Sequence, residues 1–180
     1  MKKELFQEVE IPQGIEANLD GTKLTIKGPE GENVKEFKIG KLDMEMKDNK
    51  IVIGNKKATK TDKRLMNTIA AHIRNMIKGA GEKFEYKLKI CFSHFPITVD
   101  VKEKEAVIKN FLGEKIPRKC KIVPGVKVDI DKEFITVTSQ NKELAGQVAA
   151  NFEMATKVGN RDRRVFQDGI FMISKCGVEI

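Results

Sequence analysis

Two stretches of the chain carry the same pattern about 82 residues apart, and this repeat limits the possible folds more than any other feature. Residues 24–28, LTIKG, are followed by Gly31 and Glu32. They return as residues 106–110, AVIKN, followed by Gly113 and Glu114. The units of solenoid proteins repeat every 20 to 50 residues or so, and this repeat length is shorter than the spacing of about 82 residues. The pattern therefore predicts a duplicated domain.

The correspondence continues on the C-terminal side of both stretches. Ile39 answers Ile122, residues 51–53 answer 135–137, and residues 69–73 answer 148–152. Because order, hydrophobic phase and turn position all agree, we expect an α+β fold. It is a tandem duplication of a domain with an antiparallel sheet packed against one helix, with domains at 1–81 and 82–180.

Two kinds of periodicity divide each copy. Alternating apolar and charged residues predict antiparallel strands with one solvated face, including a strand from Ile116 to Ile122. Apolar residues at helical spacing follow, and predict one helix per domain. The expected start and stop residues are Thr61 or Asp62 and Gly79 for the first helix, and Ser139 or Asn141 and Gly159 for the second.

The composition favours a polyanionic partner. The formal net charge is +8, the pI is about 9.3 and 33% of residues are charged. Such a surplus is typical of proteins that release counterions from nucleic-acid phosphates, although ordinary solubility also explains it. No apolar run is long enough to cross a bilayer, so no membrane partner is expected.

The cysteines and the N-terminus indicate a cytoplasmic protein. Cys91, Cys120 and Cys176 are odd in number and have no paired spacing, which favours buried thiols in a reducing compartment. The first residues lack the apolar segment of a secretory signal. We therefore expect a soluble, cytoplasmic location.

Arginines cluster near the end of the chain. Of six arginines, Arg161, Arg163 and Arg164 lie within four residues. Guanidinium groups suit bidentate phosphate contacts and stacking on bases, so the cluster predicts RNA binding, with a solvated charge cluster as the alternative. Asp162 and Asp168 are expected to orient the arginines. Phe166 either stacks on a base or packs under the sheet.

Two further basic patches are present. One surrounds the second-copy turn, with Asn110 as a hydrogen-bond donor, and contains Lys109, Lys115, Arg118, Lys119 and Lys121. The other precedes the first helix, is equally consistent with a solvated linker, and contains Lys56, Lys57, Lys60, Lys63 and Arg64. The first-copy turn carries Glu30, Glu32 and Glu36, so the basic surface is expected to be biased toward the second domain.

Catalysis, metals and cofactors find little support in the sequence. Only His72 and His94 are present, and the spacing of Cys91 and His94 is a weak zinc signal without a second pair. The glycine-containing turn at 28–31 lacks the lysine and the serine or threonine of a phosphate-binding loop. We expect no enzyme, no cofactor, no metal and no small-molecule substrate.

Four motifs in order resemble the universal large-subunit ribosomal protein L-six family, in its archaeal and eukaryotic branch, whose eukaryotic member is called L-nine. They are IKGP at 26–29 with Gly31, NFLGE at 110–114, Asn151 in the second helix, and RVFQDGI at 164–170. The last motif is unlike the bacterial branch. The resemblance implies a C-terminal domain with most contacts to large-subunit rRNA, near the sarcin-ricin loop and factor-binding region.

The partners that this resemblance implies are large-subunit rRNA, ribosomal proteins near the stalk base, and translation factors nearby. The expected role is architectural, with cations holding folded RNA in place in the ribosome. The residues predicted to bind rRNA are Lys109, Asn110, Lys115, Arg118, Lys119, Lys157, Arg161, Arg163, Arg164, Phe166, Gln167, Asp168 and Lys175. The alternatives are a binding module for a non-ribosomal structured RNA and an enzyme acting on nucleic acid.

Overall fold

A computed structural model of the chain describes residues 3–47, 49–102 and 104–180. The chain divides into two compact units, Met1–Lys83 and Phe84–Ile180, two residues later than the boundary drawn from the sequence. Among the described residues, each unit contains antiparallel strands and one α-helix. The predicted α+β fold class with a tandem duplication is therefore confirmed.

Unit 1 contains two three-stranded sheets and a long helix. Its elements are β1 (Lys3–Glu10), β2 (Glu16–Asp20), β3 (Lys23–Gly28), β4 (Gly31–Glu36), β5 (Asp43–Lys47), β6 (Lys50–Ala58) and α1 (Lys60–Gly81). The strand orders are β1-β6-β5 and β2-β3-β4. Helix α1 buries Ile69 and Ile73 against Leu24, Ile51 and Ile53 in one core. The apolar stripe seen in the sequence is thus the buried face of the helix.

Helix α1 begins and ends at residues other than those expected. Thr59 is the N-cap, and its hydroxyl accepts the Asp62 backbone N–H at 3.4 Å. The Asp62 carboxylate accepts the Thr59 N–H at 2.8 Å, which completes a capping box. The helix continues through the buried Gly79 to Gly81, with Glu82 as the C-cap. Neither Thr61 nor Gly79 marks an end.

Unit 2 repeats this arrangement and adds two strands. Its elements are β7 (Phe84–Cys91), β8 (Thr98–Val101), β9 (Glu105–Lys109), β10 (Arg118–Lys121), β11 (Lys127–Asp131), β12 (Phe134–Ser139), α2 (Lys142–Ala155), β13 (Gly169–Lys175) and β14 (Val178–Glu179). The strand orders are β10-β9-β8 and β11-β12-β7-β13-β14. A 3₁₀ turn, Phe111–Gly113, lies between β9 and β10.

Two boundaries in unit 2 differ from expectation, and one agrees with it. Strand β10 begins at Arg118, since Ile116 is 81% exposed and outside the sheet. Asn141 caps α2, as one of the two expected candidates, by accepting the Glu143 backbone N–H. The helix ends at Ala155, well before Gly159, and Thr156 is its C-cap.

Strand β13 makes part of the C-terminal segment a core element. It pairs with β7, with Gly169 opposite Cys91 and Ile170 opposite Ile90, and Ile170 is fully buried. The residues between α2 and β13 form a mostly exposed segment. We call residues 157–168 the connecting loop.

The two copies of the repeated turn both contact the end of their helix, but by different groups. In unit 1 the Glu30 N–H donates to the Ala80 carbonyl at 3.1 Å, and a Cβ at Gly28 would lie 2.5 Å from the same oxygen. Glycine is therefore required at this close approach. In unit 2 the Arg118 side chain reaches the Ala155 carbonyl instead, at 2.9 Å.

The three cysteines differ in how deeply they are buried. Cys120 is buried, which raises its pKa to about 11, whereas Cys91 and Cys176 are only half-buried. The expectation of three buried thiols was thus wrong for two of them.

Within the described ranges, no helix combines the length and the apolar character needed to span a bilayer.

Candidate RNA interface

One carboxylate shapes the middle of the connecting loop. Asp162 accepts the backbone N–H of Arg164 at 3.0 Å and its Nη2 at 2.9 Å. The Asp162 carbonyl accepts the N–H groups of Val165 and Phe166 at 3.1 and 2.9 Å. Hydrogen bonds from Arg164 lower the pKa of Asp162. Asp162 therefore orients one arginine, as expected, and offsets part of its charge.

A second carboxylate anchors the end of the connecting loop. The Asp168 side chain is 1% exposed, and it accepts the N–H groups of Ser93 and His94 at 2.6 and 3.2 Å. Its other oxygen is 2.6 Å from Nδ1 of His94. Burial raises the pKa of Asp168, but these hydrogen bonds outweigh it and bring the value to about 2.

The structure contradicts the expectation that Asp168 orients the arginines. Both carboxylate oxygens are taken up by Ser93 and His94, which lie just after β7 and 74 to 75 residues earlier in the chain. With almost no exposed surface, Asp168 supports the connecting loop from within unit 2. Sequence reasoning missed both partners, because nothing in the local pattern links them to Asp168.

Phe166 contacts two planar groups. The His94 imidazole lies 5.0 Å from its ring centroid with an interplanar angle of 18°. The Arg161 guanidinium carbon lies 4.7 Å from the same centroid. Phe166 is half-buried and lies outside the hydrophobic core of unit 2. It holds Arg161 in a defined position at the surface.

The spacing of Cys91 and His94 in the sequence is a weak signal for a zinc site. In the structure Nδ1 of His94 is engaged by Asp168. Across the described ranges, no group of three or more His, Cys, Asp or Glu residues is placed to hold a metal ion.

Arg118 connects the second-copy turn to the start of the connecting loop. Its Nε and Nη2 donate to Glu114 at 2.8 and 2.6 Å, and its Nη1 donates to the carbonyls of Ala155 and Lys157 at 2.9 and 3.3 Å. Its guanidinium also lies 4.3 Å from the centroid of the Phe111 ring. Arg118 was predicted to contact rRNA, but its donors are already used within the protein.

The second-copy turn and the connecting loop lie close together. The hydrogen bond from Arg118 lowers the pKa of Glu114, and the charge of Arg161 lowers it further. Arg161 thus acts on a residue of the turn, 47 positions away in sequence. The structure brings together the two patches that the sequence predicted separately.

Several predicted contacts near the turn already have partners. Lys109 pairs with Asp100 at 2.7 Å, and Lys119 pairs with Glu105 at 3.5 Å. Asn110 has a left-handed conformation, and its Nδ2 donates to the Pro96 carbonyl at 3.0 Å. Exposed pairs of this kind contribute little to stability, so these lysines can exchange their partners for phosphates at small cost.

Other residues predicted to bind RNA differ in whether a partner within the protein already engages their side chains. Within the described residues, Lys115, Lys157 and Arg163 are exposed and form no ion pair. Gln167 is exposed and donates its Nε2 to the Arg164 carbonyl at 3.3 Å. Lys157 and Arg163 belong to the connecting loop, where their charges are not offset.

Lys175 does not belong to this group. It lies opposite Tyr86 on β13, whereas Gly169, next to the connecting loop, lies opposite Cys91. Six residues of extended strand separate them, which is roughly 20 Å.

Net charge does not distinguish the two units. Residues 1–83 and 84–180 each contain 17 Lys and Arg and 13 Asp and Glu, so each carries +4. The expected bias toward the second domain was wrong in this respect. In unit 1 three cations of α1 line a groove of about 690 Å³, whose polar lining residues include Lys60, Lys63, Arg64, Asn67, His72 and Asn75.

A cavity of about 880 Å³ opens beside the connecting loop, and the sequence did not predict it. Exposed apolar side chains from β13, α2 and the loops line it, namely Phe92, Met154, Val165 and Phe171. Phe171 follows the buried Ile170 along a strand, where alternation would favour a polar residue. An aromatic residue at that strand position was the signal in the sequence that could have indicated the cavity.

Comparison with known proteins agrees with the repeat. A model of the family described as Ribosomal protein L6 matches residues 11–82 and again residues 95–169. The chain is 46% identical over 169 residues to large ribosomal subunit protein uL6 of Methanobrevibacter smithii, covering 94% of this chain and 95% of that protein. It is 45% identical over 172 residues to the uL6 of Sulfurisphaera tokodaii, with coverages of 95% and 92%. For the uL6 of Methanothrix thermoacetophila the identity is 39% over 175 residues, with coverages of 97% and 99%.

Proposed function

Because the chain belongs to the ribosomal protein L6 family, we propose that it is a structural constituent of the large subunit of the cytoplasmic ribosome and binds large-subunit rRNA. The resemblance drawn from four sequence motifs is confirmed. Proteins of this family are structural components of ribosomes, so the expectation of a non-enzymatic protein is confirmed as well.

The connecting loop is the proposed centre of the rRNA contact. Lys157 and Arg163 are exposed cations without an ion pair in the described part of the chain, and Arg161 is held on the Phe166 ring. Because Asp162 fixes the middle of the loop and Asp168 its end, the cations are oriented before RNA arrives. Preorganisation of this kind reduces the entropy lost on binding. This arrangement of free cations on a fixed loop carries the proposal.

The other site residues take supporting or secondary parts. Arg118, Phe166 and Asp168 hold the connecting loop against the rest of unit 2. Residues that extend the basic surface are Lys109, Asn110, Lys115, Lys119, Arg164 and Gln167. Lys175, at the far end of β13, would meet a different segment of RNA. Phosphate contacts of this type position a protein and recognise folded shape more than sequence.

The bound region of rRNA lies, in this proposal, near the sarcin-ricin loop and the factor-binding region. Ribosomal proteins near the stalk base are neighbours there, and translation factors pass nearby. The family resemblance of the motifs at 110–114 and 164–170 supports this location.

Hydroxyl-radical footprinting tests the proposal. The full-length chain should protect backbone positions of a large-subunit rRNA transcript near the sarcin-ricin loop. An excess of unrelated RNA duplex should leave the protection in place, since that duplex offers phosphates without the folded shape. A small-subunit rRNA transcript serves as the control. Equal displacement by the unrelated duplex would instead indicate a general RNA-binding module and contradict the ribosomal assignment.

A further inference from the structure

The cavity beside the connecting loop combines an apolar lining with aromatic side chains that face solvent. It lies between the C-terminal end of α2, the end of β7 and the connecting loop. Phe92 and Phe171 in its wall are 43% and 47% exposed, and Val165 and Met154 are 61% and 71% exposed. Its volume of about 880 Å³ is within the range of sites that bind small molecules.

The charged groups around the cavity favour an anionic occupant. Arg163 and Lys157 line it and, among the described residues, have no acidic partner. Its acidic residues are Glu153 and Asp168, and both are engaged within the protein. Glu153 accepts the Met172 N–H at 2.9 Å, and Asp168 accepts N–H groups of Ser93 and His94. The cavity therefore presents apolar walls with two available cations.

We propose that this cavity receives an unstacked base from a single-stranded segment of rRNA, with Arg163 and Lys157 holding the adjacent phosphates. The inference rests on the proposed function and names the part of the RNA that this site takes. Sequence-tolerant recognition of RNA commonly uses splayed-out bases that stack on aromatic side chains beside a cationic groove. Phe92 and Phe171 supply the rings, and the connecting loop supplies the cations.

One polar group is positioned to contact the base edge. Gln167 lines the cavity and uses its Nε2 on the Arg164 carbonyl, which leaves its Oε1 to accept a hydrogen bond from an exocyclic amine. An apolar protein segment is a poorer occupant, because it would cover Arg163 and Lys157 without offering them acceptors. Burying unpaired charge in this way is costly.

Chemical probing of a large-subunit rRNA transcript bound to the full-length chain separates the base contact from the backbone contact. Dimethyl sulfate and a carbodiimide report unpaired bases, and hydroxyl radicals report the backbone. With Phe92→Ala or Phe171→Ala, one or a few bases that the wild type protects should become reactive, while backbone protection remains. The Kd should rise about 5- to 100-fold, since stacking on an aromatic side chain is lost.

Phe134→Ala is the matched control. Phe134 lies in the same unit, is 44% exposed and does not line the cavity, so its removal should leave both footprints unchanged. Phe171→Leu keeps apolar volume at the site if the alanine variants fold poorly, and it too should expose the base. Near-ultraviolet circular dichroism of Tyr86, the single tyrosine, reports whether unit 2 is folded.

The outcomes distinguish this inference from the proposed function. Unchanged base protection in folded Phe92→Ala and Phe171→Ala variants overturns the base-binding cavity but leaves rRNA binding in place. The inference that the cavity binds a base is likewise contradicted if these variants lose a ribosomal protein from reconstituted subunits while the base footprint stays the same. If the wild-type chain protects no part of large-subunit rRNA, the proposed function itself fails.

Discussion

Replacing Arg161, Arg163 and Arg164 together with alanine should weaken binding to large-subunit rRNA about 10- to 100-fold near physiological salt. Each lost phosphate contact should also reduce the slope of log Kd against log salt by roughly one unit, because fewer counterions are released on binding. Filter-binding titrations at several salt concentrations measure both quantities. The two effects together identify the cluster as a phosphate contact.

The three arginines should not contribute equally. Arg163 is exposed and has no ion pair within the described residues, so the single variant Arg163→Ala should account for the largest share of the loss. Arg161 is held on Phe166 and should come next. Arg164 is paired with Asp162, and its removal should have the smallest effect because part of its charge is already offset.

A triple variant of α1 is the matched control for the arginine cluster. Lys60→Ala, Lys63→Ala and Arg64→Ala remove the same three charges from the basic groove of unit 1. The salt dependence of rRNA binding should then stay close to that of the wild type. If both triple variants lose affinity and slope equally, net charge rather than the connecting loop governs binding.

Asp168→Ala should destabilise unit 2 by about 3 kcal/mol. It removes a buried carboxylate and leaves the N–H groups of Ser93 and His94 without their acceptor, and each unsatisfied donor costs about 1 to 3 kcal/mol. The variant should therefore also loosen the connecting loop. The chain has no tryptophan, and its single tyrosine, Tyr86, is buried in β7. Its fluorescence during urea unfolding reports the stability of unit 2 alone.

The pH dependence of stability should change in the same variant. The pKa of Asp168 is about 2 in the folded chain, below the value of about 3.9 expected when unfolded. Its contribution of about 3 kcal/mol is therefore fully present above pH 4 or so, and is lost as the pH falls toward 2. Asp168→Ala should lack this part of the acid sensitivity.

Asp129→Ala provides the comparison for Asp168→Ala. Asp129 lies in the same unit but is 58% exposed in a surface pair with Lys127, so its removal should change stability by less than about 0.5 kcal/mol. Similar losses for the two variants would mean that the buried hydrogen bonds of Asp168 do not stabilise unit 2.

The fold followed closely from the sequence because its main signals are local or periodic. Helix α1 buries the same stripe, including Ile69 and Ile73, that stood out at helical spacing. Its first residue was misplaced because Thr59 lies before that stripe, and a cap depends on hydrogen bonds rather than on periodicity. Strand β13 was not foreseen, since its pairing with β7 joins segments far apart in the chain.

The candidate site was only partly predictable, for a different reason. Composition located the arginines but did not reveal which cations are available for RNA. Arg118 looked like Arg163 in sequence, yet its guanidinium is held by Glu114 and by backbone carbonyls of the α2 terminus. Asp168 looked like an exposed partner for arginine, yet Ser93 and His94 surround it. Such partners become visible only when distant segments are brought together.

That Arg163 and Lys157 hold rRNA phosphates is tested most directly by a cryo-electron microscopy structure of large subunits that contain this protein. Nitrogen atoms of both side chains should lie about 2.7 to 2.9 Å from phosphate oxygens, the distance of charge-assisted hydrogen bonds. A structure in which both side chains face solvent or an acidic protein surface, while rRNA contacts only α1, would contradict it.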